Sequence, residues 1–236
     1  MAIYVTSDLH GTSTEDLQKL LKKAGFSDMD WLYVLGDVID RNGDGGVGIL
    51  EWLLYQPNAQ LILGNHEAML LSCSFLFDPV NEDNISRLNT EQMELVETYF
   101  LNGGDVTVKA LAAKNKTDRE TVLDLLDYLR EAPLYETVSA GDRDFVLVHG
   151  GLENFSPGKK LSEYTADELL WCLPNLEDAY FRDVTTVFGH TPTCLLDPKK
   201  KGKILKTATW IDVDAGVAAG YSPALLRLDD LAEFYM

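Results

Sequence analysis

At 236 residues, with 46% hydrophobic and 25% charged side chains, the chain has the size and composition of a soluble globular α/β protein, not of a disordered segment. Its formal net charge of −18 repels nucleic-acid backbones and anionic membranes, and suits a protein that concentrates divalent cations. Three cysteines (Cys73, Cys172, Cys194), widely spaced and without a CxxC pair, argue against both a disulfide framework and a thiolate zinc site.

"AIYVT" (2–6) reads as a strand, and nothing before it has the basic region and apolar core of a secretory signal. No apolar run approaches the ~18 residues of a membrane span, so the expected address is the cytoplasm. The glycosylation patterns at Asn84 and Asn115 are then incidental. "STEDLQKLLKKAG" predicts a helix, with Ser13 or Thr14 as N-cap, lysines in the last turn and Gly25 as the stop. "WLYVLG" (31–36) is a buried strand, "GILEWLLYQ" (48–56) a helix ended by Pro57, and "QLIL" (60–63) a third strand. Strand–helix alternation of this kind favours βαβ units and a parallel sheet. Across 78–133 helical patterns dominate ("TEQMELVETYFL", "DRETVLDLLDYLREA") and interrupt the strand rhythm, as an insertion or cap within a single 1–236 domain would. Beyond Pro133 the β signal returns in "LYETVSA", "DFVLVHG", "TTVFGH", "ILKTATWIDVD" and "ALLRLDD", with "KKKGK" (199–203) as a solvated turn.

The polar residues at the strand ends form a set. The first strand ends in Asp8-Leu9-His10, the second in Gly36-Asp37, the third in Gly64-Asn65-His66-Glu67, and later ones in His149-Gly150-Gly151 and Gly189-His190. Open α/β sheets gather ligands outside the carboxyl ends of their strands. A lone strand-end histidine is ordinarily structural, but all four histidines of this chain lie at such ends, with Asp and Asn beside them. Together they compose the oxygen and nitrogen ligand set of a divalent transition metal. A carboxylate such as Asp37, central in the set, could bridge two ions.

The blocks "SDLHG", "GDVIDR", "GNHE", "VHGG" and "FGHT" resemble the signature of the calcineurin-like metallophosphoesterases, in family order from residue 7 to 191. The full set is most similar to the phosphoprotein-phosphatase branch and its bacterial relatives. The resemblance implies an α/β fold of two packed mixed β-sheets flanked by helices, a four-layer αββα sandwich with a helical insertion. It implies two divalent metal ions, with manganese the leading candidate and iron, zinc or nickel the alternatives. Asp8, His10 and Asp37 would hold the first ion, and Asp37 would bridge to a second completed by Asn65, His149 and His190. Two ions ~4 Å apart can clamp a phosphate and make hydroxide available near neutral pH. His66 would be the non-ligand histidine that protonates the leaving oxygen, oriented by Asp40. Arg41 would hold phosphate oxygens with its planar fork, alongside Asn65.

Three departures bear on the substrate. Leu63 stands where protein phosphatases of this branch place Arg before "GNHE", Cys172 follows Trp171 where many bacterial relatives carry Arg, and Asn42 replaces the Gly of "DRG". Arg41 is thus left nearly alone as phosphate clamp, with Arg182, Lys159 and the helical stretch as candidate substitutes. "GDGGVG" (43–48) matches a dinucleotide fingerprint, but its first glycine lies well past the strand end. "DRNGDGGVGILE" (40–51) fits an EF-hand loop at Asp40, Asn42, Asp44, Gly45 and Glu51, but a strand precedes it where an entering helix is required.

Three readings of function result. The leading one is a two-metal phosphatase acting on phosphoserine or phosphothreonine proteins or small phosphorylated metabolites. The alternative is a dinucleoside-polyphosphate hydrolase, which needs a nucleotide-stacking, basic pocket that no segment announces. The third, a non-catalytic metal- or calcium-binding regulator, is motivated by the missing arginines and opposed by the intact ligand set.

Overall fold

The computed structural model describes residues 1–79, 81 and 89–236. Two mixed five-stranded sheets pack face to face. The first comprises β1 (Ile3–Thr6), β2 (Trp31–Val34), β3 (Ala59–Leu61), β9 (Ala224–Arg227) and β10 (Ala232–Tyr235), in the order β10-β9-β1-β2-β3. The second comprises β4 (Tyr135–Ala140), β5 (Arg143–Val148), β6 (Val184–Phe188), β7 (Leu205–Lys206) and β8 (Trp210–Asp212), in the order β4-β5-β6-β8-β7. The strands that carry the site are parallel: β1 with β2, β2 with β3, and β5 with β6. Their carboxyl ends therefore open toward the same region.

Period-two alternation explains the layering. Along β1, Ile3 and Val5 face the second sheet, while Tyr4 faces outward under the helices. Tyr33 and Leu35 continue the inner layer, and Leu32 and Val34 the outer. From the second sheet Phe145, Leu147, Val187 and Ile211 meet that inner layer, so both sheets are buried on two faces.

The outer face of the first sheet is covered by α1 (Thr14–Ala24), α2 (Val47–Leu54) and the helices of the long middle segment. Helix α1 forms as expected: Ser13 accepts from the Asp16 N–H, and Gly25 ends it in the left-handed region at φ 78°. After α3 (Asn65–Ser72) and a 3₁₀ turn, the middle segment contributes α4 (Thr90–Leu101), α5 (Asp105–Asn115) and α6 (Arg119–Glu131). The Asn84 pattern falls outside the described residues. The outer face of the second sheet carries the short α7 (Ala166–Leu170), and aromatic rings from flanking loops (Phe155, Tyr180, Phe181) complete its cover. A last short helix, α8 (Thr193–Leu196), follows β6.

Two details differ from the sequence reading. "ILKTATWIDVD" is a hairpin, β7 antiparallel to β8, instead of one strand. An edge strand, β10, follows "ALLRLDD", its alternation masked by alanine and glutamate in a four-residue run. No helix among the described residues is long and apolar enough to cross a membrane.

Packing between the sheets sets a test of the layering. Leu147 is fully buried there, so Leu147→Ala should cost about 2–5 kcal/mol in urea unfolding. Leu101, 83% exposed at the end of α4, should tolerate alanine within about 0.5 kcal/mol. Equal effects at the two positions would contradict this placement of the core.

Candidate active site

Five strand-end loops converge. Asp8 and His10 follow β1; Asp37, Asp40 and Arg41 follow β2; Asn65 and His66 begin α3 after β3; His149 follows β5 and His190 follows β6. The loops are locked to one another by backbone. The Asp8 N–H donates to Gly36 O at 3.1 Å and the His10 N–H to Asp37 O at 2.9 Å. A side chain on Gly36 would put its Cβ 2.4 Å from Gly64 Cα, so only glycine lets the second and third loops approach this closely.

The local backbone is strained where the polar side chains sit. Asp8, His10, Asp37, Asp40, Arg41 and His190 all adopt positive φ, between 39° and 76°. They are six of eight such non-glycine residues among those described. Left-handed backbone at non-glycine residues costs about 1–3 kcal/mol each and persists only where surroundings over-determine it. One agent of that over-determination is Glu67, which the sequence reading left without a role. Its buried carboxylate accepts from the N–H groups of Asp37 (2.8 Å), Val38 (2.9 Å), Ile39 (3.3 Å) and Gly64 (3.1 Å).

Inside this frame the donor atoms point at common centres. Asn65 Oδ1 lies 2.8 Å from His149 Nε2 and 3.0 Å from His190 Nδ1, and the two ring nitrogens are 3.2 Å apart. Asp37 Oδ1 lies 3.4 Å from His149 Nε2. Ligands on an ion with ~2.1 Å bonds are spaced about 3.0–3.4 Å along the edges of an octahedron or tetrahedron. Without a cation the Asn65 amide would be better turned end for end, its nitrogen then donating to Asp37, His149 and His190 at 2.8–3.3 Å. A cation at the centre makes the oxygen-inward setting the stable one. The His149 Nδ1–H is spent on Leu35 O at 2.7 Å, which leaves Nε2 with a free lone pair facing the centre.

The neighbouring centre is looser. His10 Nε2 is 3.9 Å from Asp8 Oδ1 and 3.8 Å from Asp37 Oδ2, with its Nδ1 on Ile39 O at 3.1 Å. Asp8 Oδ1 is buried without a hydrogen-bond partner, while Asp8 Oδ2 receives Ser7 Oγ and the His190 N–H. An orphaned carboxylate oxygen aimed at a histidine lone pair is what a cation would satisfy. The donor set therefore fits two divalent ions sharing Asp37.

His66 Nε2 is also 3.8 Å from Asp37 Oδ2, so distance alone does not separate it from the ligands. Its partners do. Nδ1 faces Asp40 Oδ2 at 2.6 Å, and Nε2 faces Arg41 Nη2, a donor, at 3.1 Å. Asp40 Oδ1 in turn accepts from Tyr99 Oη (2.7 Å) and Thr107 Oγ1 (2.6 Å), residues of α4 and α5.

Burial governs the protonation of the set. It holds the His10 imidazole down to about 4 and those of His66 and His190 to about 3, with the Arg41 cation adding to the effect at His66. Neutral rings are the metal-binding form. Burial pushes Asp40 up to about 6 against the opposing bonds from Thr107 and Tyr99. It raises Asp37, Asp212 and Asp214 well above the usual carboxylate range, and the nearby Asp8 charge reinforces this at Asp37 and Asp214.

All nine residues singled out in the sequence lie together here. Of the candidate phosphate-clamp substitutes, the helical stretch reaches the site through Tyr99, Gly103 and Thr107, whereas Lys159 and Arg182 are not among the residues that meet there. Lys159 is paired with Glu168 at 2.7 Å and lies over the Tyr164 ring. Arg182 precedes β6, at the opposite end of that strand from His190. Leu63 and Cys172 are engaged elsewhere: the Leu63 N–H donates to Pro133 O, and buried Cys172 faces Tyr180 Oη at 3.8 Å. The EF-hand pattern does not assemble either. Asp44 caps the N–H groups of Gly46 and Gly48, Glu51 pairs with Lys114 at 2.6 Å, and Asp40 is turned to His66. Besides Glu67, the sequence reading missed Tyr99 and Thr107, and treated Trp171 only as a landmark. The Trp171 ring stands edge-on to His190, centroids 6.0 Å apart, and is 42% exposed.

A profile of the calcineurin-like phosphoesterase family matches residues 1–194. The chain belongs to that family. It is 34% identical over 207 residues to a symmetrical bis(5'-nucleosyl)-tetraphosphatase of Chromobacterium violaceum, an alignment covering 85% of this chain and 60% of that one. It is 28% identical over 171 residues to a protein of the same name from Acidovorax sp. (strain JS42), covering 72% and 48%. The chain spans about half the length of several such relatives. In fold it is similar to a crystal structure of a provisionally named diadenosine tetraphosphatase, with a TM-score of 0.63, 17% identity and coverage of 100% and 92%. It is also similar to a protein serine/threonine phosphatase from Saccharomyces cerevisiae, with a TM-score of 0.58, 16% identity and coverage of 97% and 72%. Members of the family are divalent-metal hydrolases of phosphate esters.

The electrostatics fix the behaviour of the metal-free protein. Carboxyls whose pKa is raised by folding contribute stability that is lost as pH rises through the folded value. Histidines lowered by folding cost stability only as pH falls below about 6.5. Above about pH 6.5 the lowered imidazoles of His10, His66 and His190 no longer contribute, so any change these groups cause in the melting temperature of chelated protein comes from the buried acids and is a fall as pH rises. Manganese at ~100 times its dissociation constant should raise that temperature by roughly 5–10 °C. A melting temperature indifferent to chelator would remove the metal from this site.

Proposed function

We propose that the protein is a two-metal hydrolase of dinucleoside polyphosphates, cleaving a tetraphosphate bridge symmetrically. The observation that carries this reading is the exposed Trp171 ring beside His190, together with the names of the curated relatives. Trp171 begins a cavity of about 430 Å³ that also takes in Phe155 and Tyr180. An exposed indole next to a metal ligand offers a stacking platform for a nucleobase, and such stacking is worth ~1–3 kcal/mol per base. The cavity carries Glu153 and Asp178 and no basic residue, which suits ribose hydroxyls and ring amino groups, not phosphate. The phosphate chain therefore belongs at the strand-end loops, where Arg41 and the cations neutralise it.

Asp8, His10 and Asp37 would hold one ion, and Asp37, Asn65, His149 and His190 the other; manganese suits this mixed oxygen and nitrogen set. The ions, when bound, supply charge neutralisation and an activated water nucleophile. Arg41 and Asn65 would orient the attacked phosphate. His66, held by Asp40, would take up a proton from water on Nε2 once Arg41 has turned to the phosphate, and would then deliver that proton to the leaving oxygen. Segment 78–133 is read as an insertion within one domain, 1–236.

The His66–Asp40 pair favours a second reading, a phosphomonoesterase acting on phosphoprotein or a small phosphate ester. A general acid matters most when the leaving group is strongly basic, and a serine alkoxide is far more basic than a nucleoside diphosphate.

Two measurements separate the readings. Purified protein loaded with manganese should show two ions per chain by elemental analysis, and Asp37→Asn should weaken both. On diadenosine tetraphosphate the product should be ADP alone, and Trp171→Ala should raise KM about 5- to 100-fold while leaving p-nitrophenyl phosphate kinetics unchanged. Turnover of a phosphopeptide without turnover of the dinucleotide would replace the first reading by the second. One ion or none would defeat both.

A further inference from the structure

Asp40 is bound from outside the strand-end loops, and by an unusual number of groups. Its carboxylate is fully buried with no cation on Oδ1, the oxygen turned away from His66. Two hydroxyls meet that oxygen: Tyr99 Oη from α4 at 2.7 Å and Thr107 Oγ1 from α5 at 2.6 Å. Thr107 Oγ1 also accepts from the Asp40 backbone N–H at 3.0 Å, so one hydroxyl grips both the main chain and the side chain of the same residue. The turn between the two helices adds a third tie, as Gly103 O accepts from the Arg41 N–H at 3.0 Å. Fit is close throughout. A Cβ on Gly104 would lie 2.3 Å from the Tyr99 ring, and one on Gly45 would lie 2.5 Å from Thr107 Cα.

We propose that Tyr99 and Thr107 are positioning residues for the His66–Asp40 pair, which makes α4 and α5 part of the catalytic apparatus instead of a detachable cap. The proposal rests on the reading of His66 as proton donor. A carboxylate anchored through a single histidine can rotate about its Cβ–Cγ bond. Two O–H donors on Oδ1 fix that rotation and leave Oδ2 as the acceptor for the His66 Nδ1–H at 2.6 Å. With Nδ1 fixed, Nε2 is aimed at the space between Arg41 and Asp37, where a leaving oxygen would sit. Tyr99 and Thr107 themselves face Asp40, one residue removed from the histidine that would meet substrate.

The test uses isosteric variants that keep the core filled. In the full-length, manganese-loaded protein, Tyr99→Phe and Thr107→Val should each lower kcat about tenfold on phosphoserine, whose leaving group is basic. On p-nitrophenyl phosphate the loss should be at most twofold, with metal content unchanged. Thr107→Ser should restore wild-type kinetics. In a His66→Asn background neither change should have a further effect, because residues that act through one group are not additive. Equal losses on both substrates, or full additivity with His66→Asn, overturn the proposal. A second readout does not depend on turnover. In ¹⁵N-histidine-labelled protein the His66 Nδ1–H should give a slowly exchanging proton resonance, exchange-broadened in Tyr99→Phe and Thr107→Val and intact in Thr107→Ser. An unchanged resonance in both isosteric variants refutes positioning. A wild-type protein that hydrolyses neither ester nor diadenosine tetraphosphate, but shows the expected resonance pattern, upholds positioning and defeats the hydrolase reading.

Discussion

The site depends on a single buried carboxylate. Glu67 spends both oxygens on four backbone N–H groups, three from the turn after β2 and one from the turn before α3. Those bonds fix the path of residues 37–39 and, through it, the left-handed backbone at Asp37 and Asp40. A loop that must hold several non-glycine residues at positive φ would relax into extended or helical backbone if left to itself. The N–H dipoles that stabilise the Glu67 charge are the same groups that the turn would otherwise leave unpaired. One interaction thus solves two problems, the buried charge and the orphaned donors. Asp37 is then presented to both candidate metal centres before any ion arrives, and preorganisation of this kind keeps reorganisation out of the reaction barrier.

The second constraint is charge. Asp8, Asp37, Asp212 and Asp214 are buried in one region, and His10 and His190 among them are held neutral by burial. Arg41 is the cation that touches this set, and it points at His66. A protein of net charge −18 that gathers carboxylates around neutral imidazoles has built the apo site at the expense of stability. Divalent ions would reverse the sign of every one of those terms. Binding and folding are in that case coupled, and the orphaned Asp8 oxygen and the inward Asn65 amide are local expressions of the same imbalance.

How much of this was legible in the sequence follows from the range of each interaction. The inner strands announced themselves because they are buried on both faces, and runs such as "IYV" and "WLYVL" are apolar throughout. The candidate ligand set was legible because each donor sits one to four residues past a strand, and the blocks containing them resemble a known family. Residues acting across the fold were not. Tyr99 and Thr107 lie 59 and 67 residues from Asp40, inside helices whose sequence shows only helical periodicity. A tyrosine on an amphipathic helix reads as core, and it is core; its hydroxyl is the part that periodicity cannot report. Glu67 was visible inside "GNHE", but its four bonds depend on the second loop folding back over it. The edge strand β10 was hidden by its own composition, and the β7–β8 hairpin by a turn, "TAT", without glycine or proline.

Arginine shortage then shapes what the site can recognise. Where a relative would place a guanidinium, Leu63 packs at a strand end, its N–H on Pro133 O, and Cys172 is buried against Tyr180. Phosphate binding must accordingly come from the ions and from Arg41. A simple phosphomonoester offers little else to hold, so its affinity would be limited by those contacts. A dinucleotide offers two bases and two riboses, and the exposed Trp171 ring and the acidic rim at Glu153 and Asp178 are chemically matched to those parts, not to phosphate. On the proposed reading, binding energy taken from the nucleoside would replace what the missing arginines would have supplied, and would do so next to His190, where it would also align the phosphate chain with the candidate metal ligands. On that reading the absent arginines and the exposed tryptophan belong together: recognition would rest less on the phosphate than on the group that carries it.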